Sequence, residues 1–232
     1  MLYPRAGALF VPTGDIAGEL REIAPRAPHA VVVPNPVQSD YLDMFVISEV
    51  ELLRSPRIRA YESDWSDLPV SASAPGIWYG DYVLRPEMDM EVSLLALSLN
   101  SQQQALKAFS TLSIGTTAPT SAKVVSSAGA RVHFDASAFS REAVVALIPA
   151  AVEPLSSDSE LLPCGNGLIV HSPQALEGDA TISFDRVSAH GDGIAGLYRW
   201  NSIESRWVFL PSVADSTSIS APIGELGQYA LL

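Results

Sequence analysis

The chain has 232 residues, of which 47% are apolar, and it carries 26 acidic against 14 basic side chains for a net charge of −12. Its length allows one large domain or two small ones. The strong negative charge repels phosphate backbones and argues against a nucleic-acid partner, and no apolar run reaches the roughly 18–20 residues that a membrane-spanning helix needs, so we expect no membrane insertion.

The first 29 residues are interrupted by proline and glycine and contain one weakly helical stretch, residues 16–23. Apolar residues recur there at helical spacing, but Gly18 weakens the helix and Pro25 ends it. We therefore predict an irregular or helical lead-in over residues 1–29. The N-terminus has no basic region followed by an apolar one, so no signal peptide is visible.

Residues 30–115 change to short runs with the period-two alternation of β-strands. The run at 88–99 also fits a helix on propensity, but the serines that interrupt it favour a strand. Gly115 begins a polar, proline-containing stretch up to Thr120 that predicts a linker. About seven strands are predicted before it, the clearest at residues 30–33, 41–47, 56–61, 77–84, 88–99 and 105–114.

A second series of strands follows this linker. Residues 130–135 alternate cleanly, residues 144–152 are apolar throughout as in a buried strand, and residues 197–200 and 206–210 flank a polar turn that predicts a hairpin. Further strands are predicted at residues 167–171, 180–184, 216–222 and 228–232. The sequence therefore predicts an all-β fold of two tandem antiparallel β-sandwich domains, residues 30–115 and 120–232.

Several strand motifs resemble known bacterial modules. The second series is similar to the ZU5-like β-sandwich modules near the C-terminus of large secreted or periplasmic bacterial proteins, and the first is similar to the immunoglobulin-like module that often precedes them. The motifs that carry the resemblance are Leu197-Tyr198-Arg199-Trp200, Arg206-Trp207-Val208-Phe209-Leu210, Gly227-Gln228-Tyr229-Ala230-Leu231, Tyr41-Leu42-Asp43-Met44-Phe45-Val46 and Trp78-Tyr79-Gly80-Asp81-Tyr82. The resemblance implies immunoglobulin-like sandwiches and an extracellular or periplasmic location; with no visible signal peptide, a cytoplasmic location stays open.

The resemblance also concerns a reaction. Some ZU5 and related domains cleave their own backbone at a His-Phe/Leu-Ser/Thr tripeptide just before the last strand, where the histidine activates the hydroxyl. The equivalent positions here are Glu225, Leu226 and Gly227. Because Gly227 has no hydroxyl to attack the preceding carbonyl, the resemblance implies that self-cleavage is lost.

Candidate metal ligands have weak spacing. The single cysteine, Cys164, excludes an internal disulfide and a cysteine-based zinc site. His190 and Asp192 place an imidazole two residues from a carboxylate, but the glycines beside them are better explained as turn residues. Calcium prefers oxygen ligands, and two groups of loop carboxylates offer them: Glu62, Asp64 and Asp67, and Asp40 and Asp43. We expect solvated acidic loops and no cofactor, with calcium as the alternative.

Two sets of tryptophans are of interest. Trp65 lies between Asp64 and Ser66 in a stretch that predicts a polar loop, which makes it the candidate ligand-binding residue. Trp200 and Trp207 flank the predicted hairpin, and we expect their rings to pair across it.

The sequence contains neither a G-x-S-x-G elbow nor a nucleotide-binding glycine motif. This absence, beside the continuous strand pattern, favours a non-catalytic accessory or interaction module with a protein or glycan partner, and the resemblance implies the C-terminal part of an exported bacterial protein. Two alternatives stay open. One is a small hydrolase whose groups converge from separate strands, with His133, His171 or His190 as the base; the other is a carbohydrate-binding module that uses Trp65.

Overall fold

The structure is a computed structural model that describes residues 28–127, 129–152, 163–165, 167–186 and 195–232. Every regular element in these ranges is a β-strand, and every strand pair is antiparallel. The all-β prediction is therefore confirmed for this part of the chain. It contains no helix that is long and apolar enough to cross a membrane.

The chain divides into two compact units, and one long strand, β8 (Ala105–Thr117), passes from the first to the second. The described part of the first unit covers residues 28–84 and 90–112. One of its sheets has the order β1-β2-β6-β5, and the strands of the other follow the order β8-β7-β3-β4. Besides β8, its strands are β1 (His29–Pro34), β2 (Tyr41–Ile47), β3 (Arg57–Tyr61), β4 (Trp65–Leu68), β5 (Ser71–Ala74), β6 (Ile77–Val83) and β7 (Met90–Leu99).

Alternation builds the core of the first unit. In β3 the side chains of Ile58 and Ala60 are fully buried, whereas their neighbours along the strand face outward. The two sheets approach each other closely at Gly80 of β6. A Cβ atom on Gly80 would lie 2.7 Å from the carbonyl oxygen of Pro69 and 3.3 Å from Cδ1 of Ile58, so only glycine leaves room for this contact.

The second unit contains residues 85–89 and the described residues from 113 onward. One sheet has the order β16-β17-β13-β10-β9, and the strands of the other follow the order β15-β14-β18-β12-β11-β8. Its further strands are β9 (Lys123–Ser127), β10 (Ala130–Phe134), β11 (Ala143–Ala150), β12 (Gly167–His171), β13 (Ala180–Asp185), β14 (Leu197–Asn201), β15 (Arg206–Leu210), β16 (Val213–Ala214), β17 (Ser218–Ile223) and β18 (Gly227–Leu231).

One apolar cluster joins the two sheets of the second unit. Val132 and Phe134 from β10 pack in it with Leu168 from β12, Leu197 from β14 and Tyr229 from β18. All five side chains are at most 2% exposed. The arrangement of two antiparallel sheets around a shared core is sandwich-like.

The linker prediction for residues 115–120 is wrong in part. Strand β8 continues to Thr117 and pairs with β11, and the Thr117 hydroxyl donates to the carbonyl of Ala143 at 3.1 Å. A Cβ atom on Gly115 would lie 2.5 Å from Cγ2 of Val125. This glycine therefore allows a close approach inside the fold, where the sequence pattern had indicated the start of a linker.

Other sequence predictions have mixed outcomes. The run at 88–99 is the strand β7, which removes the helical alternative, and the hairpin at 197–210 is confirmed. The strands β4, β5, β9 and β16 were not predicted. The lead-in lies outside the described residues except for positions 28 and 29, of which His29 opens β1.

Candidate functional site

Four aromatic side chains lie on the outward face of the β14–β15 hairpin. Tyr198 stands opposite Phe209, and Trp200 stands opposite Trp207. Each pair is in edge-to-face contact with ring centroids 5.4 Å apart, the geometry that the quadrupole of aromatic rings favours. Phe209 is 54% exposed and the other three rings are half-buried. We call these four side chains the aromatic face.

The opposite side of the hairpin belongs to the core. Leu197 is fully buried there, and Tyr229 of β18, also fully buried, faces the same way. Gly196 precedes the hairpin, and a Cβ atom on it would lie 3.1 Å from Cε2 of both Tyr198 and Phe209. The glycine therefore leaves the space in which these two rings meet.

A small cleft of about 240 Å³ adjoins the hairpin, lined by residues 199–203 and 225–227. Arg199 forms an ion pair with the carboxylate of Glu225, and the Tyr229 hydroxyl donates to the backbone carbonyl of Glu225. Burial raises the pKa of Tyr229, so its hydroxyl stays protonated as a donor. Nε of Arg199 is buried without a hydrogen-bond partner within the described residues.

Glu225, Leu226 and Gly227, the positions equivalent to the self-cleavage tripeptide of ZU5-like domains, line this cleft. Glu225 and Leu226 precede the last strand, and Gly227 is its first residue. Arg199 and the Tyr229 hydroxyl both hold Glu225, so the tripeptide segment is anchored to β14 and β18.

Trp65 does not lie in a loop, which corrects the sequence prediction. It is the first residue of β4 and stands opposite Tyr61 of β3, with ring centroids 5.1 Å apart. The guanidinium of Arg59 lies 5.3 Å from the centroid of its ring, at the distance of a cation–π contact. Arg57 of β3 donates two hydrogen bonds, at 2.7 and 2.5 Å, to Asp67 of β4. These bonds link the two strands of the hairpin and lower the pKa of Asp67. We call Arg57, Arg59 and Asp67 the charged frame.

The first group of candidate calcium ligands, Glu62, Asp64 and Asp67, does not lie in a single loop. Glu62 accepts a hydrogen bond from the Tyr82 hydroxyl at 3.0 Å, Asp64 accepts the backbone N–H of Trp65 at 2.7 Å, and Asp67 lies in β4. Across the described ranges, no group of three or more His, Cys, Asp or Glu side chains is placed to hold a metal ion.

Asp40 and Asp43 lie on either side of the start of β2, with Asp43 inside the strand. Asp43 is 6% exposed, and burial raises its pKa, while a hydrogen bond from Asn35 at 2.9 Å opposes the shift. Asp81 stands directly opposite Asp43 on β6 and raises the pKa further. Two carboxyl groups therefore face each other across this strand pair.

Two of the three candidate histidines, His133 and His171, lie on different sheets. His133 is in β10 and His171 in β12, and Nε2 of His133 lies 3.7 Å from the carboxylate of Asp135. His190 and Asp192 lie outside the described residues. Cys164 is half-buried, and its backbone N–H donates to the carbonyl of Leu231 at 3.0 Å.

The expected ring pairing of Trp200 and Trp207 is confirmed, but sequence reasoning missed Tyr198 and Phe209 as parts of the same face. The available signal was the spacing of two residues between aromatic side chains in each strand, because residues two apart share one face. Comparisons with protein-family models, curated proteins and solved structures find no match.

Proposed function

We propose that this chain is a non-catalytic interaction module of an exported bacterial protein, built from two tandem immunoglobulin-like β-sandwiches that span residues 30–115 and 120–232. The strand series and the ZU5-like and immunoglobulin-like sequence motifs support this proposal. Sandwich sheets display side chains on their outer faces while the inner faces form the core, which suits a binding role.

The observation that carries the proposal is the aromatic face. Aromatic side chains bury roughly 150–250 Å² each when covered, and each Å² of apolar area removed from water contributes about 25 cal/mol. Phe209 is more than half exposed at the edge of its sheet, beside three half-buried rings. A partner that covers these four rings gains contact area that the chain itself leaves open.

The test compares two phenylalanines of nearly equal exposure. Phe209 is 54% exposed on the aromatic face of the second unit, and Phe109, in the part of β8 that belongs to the first unit, is 58% exposed. The chain is titrated against arrays of extended peptides and of glycans. We expect Phe209→Ser combined with Trp207→Ser to abolish the binding that the wild type shows, and Phe109→Ser to leave it unchanged.

Two results would contradict the proposal. One is ligand binding that is equal in the wild type and the double variant. The other is turnover of ester, peptide or glycoside substrates that a change of His133, His171 or His190 to alanine abolishes, which would favour the hydrolase.

A carbohydrate-binding module is the second candidate, and the ring pair of Tyr61 and Trp65 favours it. Tyr61 is 40% exposed and Trp65 is half-buried, so both rings reach solvent at the edge of the first unit's sheet. Glycan binding that Trp65→Ala removes while Phe209→Ser leaves it intact would select this candidate.

A further inference from the structure

We propose that the free edge of β15 binds an extended polypeptide as an additional strand of the sheet. This inference rests on the proposed function, since it names the partner of the aromatic face. Its support comes from the backbone hydrogen bonds around the hairpin, which fix the direction of each N–H and C=O group.

The register starts from a pair of backbone hydrogen bonds beside β14. Gly196 donates to Leu232 at 2.9 Å, and Leu232 donates back to Gly196 at 3.0 Å. Residues of an antiparallel strand alternate between bonding one neighbour and bonding the other. The backbone groups of Gly196, Tyr198 and Trp200 therefore point toward β18, and those of Leu197 and Arg199 point toward β15.

The pairing of β14 with β15 then fixes the direction of the backbone N–H and C=O groups of β15. Arg199 stands opposite Val208, and Leu197 stands opposite Leu210, so the backbone groups of Val208 and Leu210 point toward β14. The backbone groups of Trp207 and Phe209 point the other way in the plane of the sheet, away from β14 and past the free edge. The two residues that display rings on the outermost strand also display its free donors and acceptors.

No described residue satisfies these groups. Strand β15 is the last in its sheet, and within the described ranges neither Trp207 nor Phe209 has a backbone hydrogen bond on the outer side. Sheet edges are usually protected by shortness, by proline or by charges along the strand. Strand β16 has only two residues and β4 carries Asp67, but β15 has five residues and a charge only at Arg206.

The chemistry of this edge selects the occupant. Two N–H groups and two carbonyls in alternation match the backbone of another extended chain, and side-chain contacts then supply specificity. The partner's side chains next to Trp207 and Phe209 lie against aromatic rings, so we expect apolar residues at alternate positions. Since the module carries a net charge of −12, basic residues between them are favoured electrostatically.

The experiment uses a capped peptide of alternating valine and lysine, together with the same peptide methylated on its central backbone nitrogens. Methylation removes the N–H donors but keeps the side chains and charge. We expect the unmodified peptide to shift the amide NMR signals of Trp207 and Phe209. We expect the methylated peptide to bind about tenfold more weakly or worse, because at least two hydrogen bonds are lost.

Protein variants separate the ring from the backbone. Phe209→Ala removes the ring and keeps the N–H, whereas Phe209→Pro removes both at a position where proline is tolerated on an edge. We expect the proline variant to bind more weakly than the alanine variant, and Phe109→Ala to bind like the wild type. Retained NMR signals of Val208 and Leu210 show that the hairpin stays folded.

Equal binding of both peptides, or signal shifts that map away from β15, would overturn strand addition. So would self-association through β15, which would make a second copy the occupant. If the aromatic variants remove glycan binding and methylation has no effect, strand addition fails but the interaction role stands. If they change no binding at all, both proposals fail.

Discussion

Two hairpins of this chain share a design and differ in how their outward faces are covered. The outer strand of each hairpin, β4 in the first unit and β15 in the second, is an edge strand. In both hairpins, aromatic rings on the two strands contact each other. At β3–β4 the charged frame crosses the hairpin, and Arg59 covers part of Trp65. At β14–β15 the rings contact each other in two pairs, Tyr198 with Phe209 and Trp200 with Trp207, and Phe209 is open to solvent.

The difference shows what distinguishes an edge that is closed from one that is available. Charged side chains on an edge strand disfavour pairing with another chain, because a partner strand must desolvate them. The charged frame therefore suits a hairpin whose edge strand does not pair with another chain. The bare aromatic face suits a hairpin that accepts a partner.

The largest expected effect is on the free energy of unfolding, when a buried side chain on the inner face of each hairpin is truncated. It tests whether the two inner faces contribute equally to stability. Ile58 and Leu197 are each fully buried. We expect Ile58→Ala and Leu197→Ala each to lower the free energy of unfolding by about 2–5 kcal/mol, from lost burial and the cavity left behind. Chemical denaturation measures both. A loss below about 1 kcal/mol for only one of them would show that the hairpins differ inside as well as outside.

The next prediction compares the glycine beside each hairpin. A Cβ atom on Gly80 would meet a rigid backbone oxygen at 2.7 Å, whereas one on Gly196 would meet ring edges at 3.1 Å. We expect Gly80→Ala to cost about 1–3 kcal/mol and Gly196→Ala to cost less, because rings can move and backbone cannot. The near-ultraviolet circular dichroism of the Gly196 variant should change, since Tyr198 and Phe209 must shift. An unchanged spectrum would contradict the placement of these rings.

A third prediction concerns the tyrosine that anchors the loop beside each hairpin. Tyr229 donates to the backbone carbonyl of Glu225, and Tyr82 donates to the carboxylate of Glu62. Tyr229→Phe leaves a carbonyl without its donor and should cost about 1–2 kcal/mol, while Tyr82→Phe should cost about 0.5–1.5 kcal/mol because water can reach the carboxylate. Urea unfolding of both variants decides the order, and the reverse order would show that Glu225 is not anchored through Tyr229.

The smallest expected effect separates the units by pH. Burial and Asp81 raise the pKa of Asp43 in the folded chain. The contribution of Asp43 to the free energy of unfolding is therefore fully present below the pKa of the unfolded chain and is lost as the pH rises through the raised value. We expect Asp81→Asn to stabilise the chain at pH 7 by about 0.2–1 kcal/mol, because it removes a like charge directly opposite. The gain should vanish near pH 3, and a gain that persists there would contradict the charge interaction.

Asp215 of the second unit is the matched control for this pH series, since its shift has the opposite sign. Backbone N–H groups of Thr217 and Ser218 lower its pKa to about 2. Its stabilising contribution is therefore present above its unfolded pKa and is lost as the pH falls toward 2. Asp215→Asn should destabilise at pH 7 and have no effect below pH 2, as followed by thermal unfolding.

Sequence patterns located the β14–β15 hairpin because two runs rich in aromatic and apolar residues flank a polar turn, and this pattern needs no knowledge of distant residues. Strand β4 was missed because its sequence, Trp65-Ser66-Asp67-Leu68, has no apolar alternation. Its pairing with β3 includes the contacts of Arg57 with Asp67 and of Arg59 with Trp65, which only the folded register reveals.

The aromatic face was only half predicted for a related reason. Both faces of the hairpin carry large apolar side chains, with Leu197 on one and Tyr198 on the other. Period-two patterning then identifies the strand but does not say which face is inward. The inward face is set by β18, where Tyr229 joins the core beside Leu197.

Amide hydrogen exchange along β15, read by NMR on the free chain, tests the open edge most directly. The hydrogen-bond register predicts alternation: slow exchange at Val208 and Leu210, which bond to β14, and fast exchange at Trp207 and Phe209, which face solvent. Exchange at Trp207 and Phe209 as slow as at Val208 would contradict the central claim, because those donors would already have partners and the edge would offer nothing to a second chain.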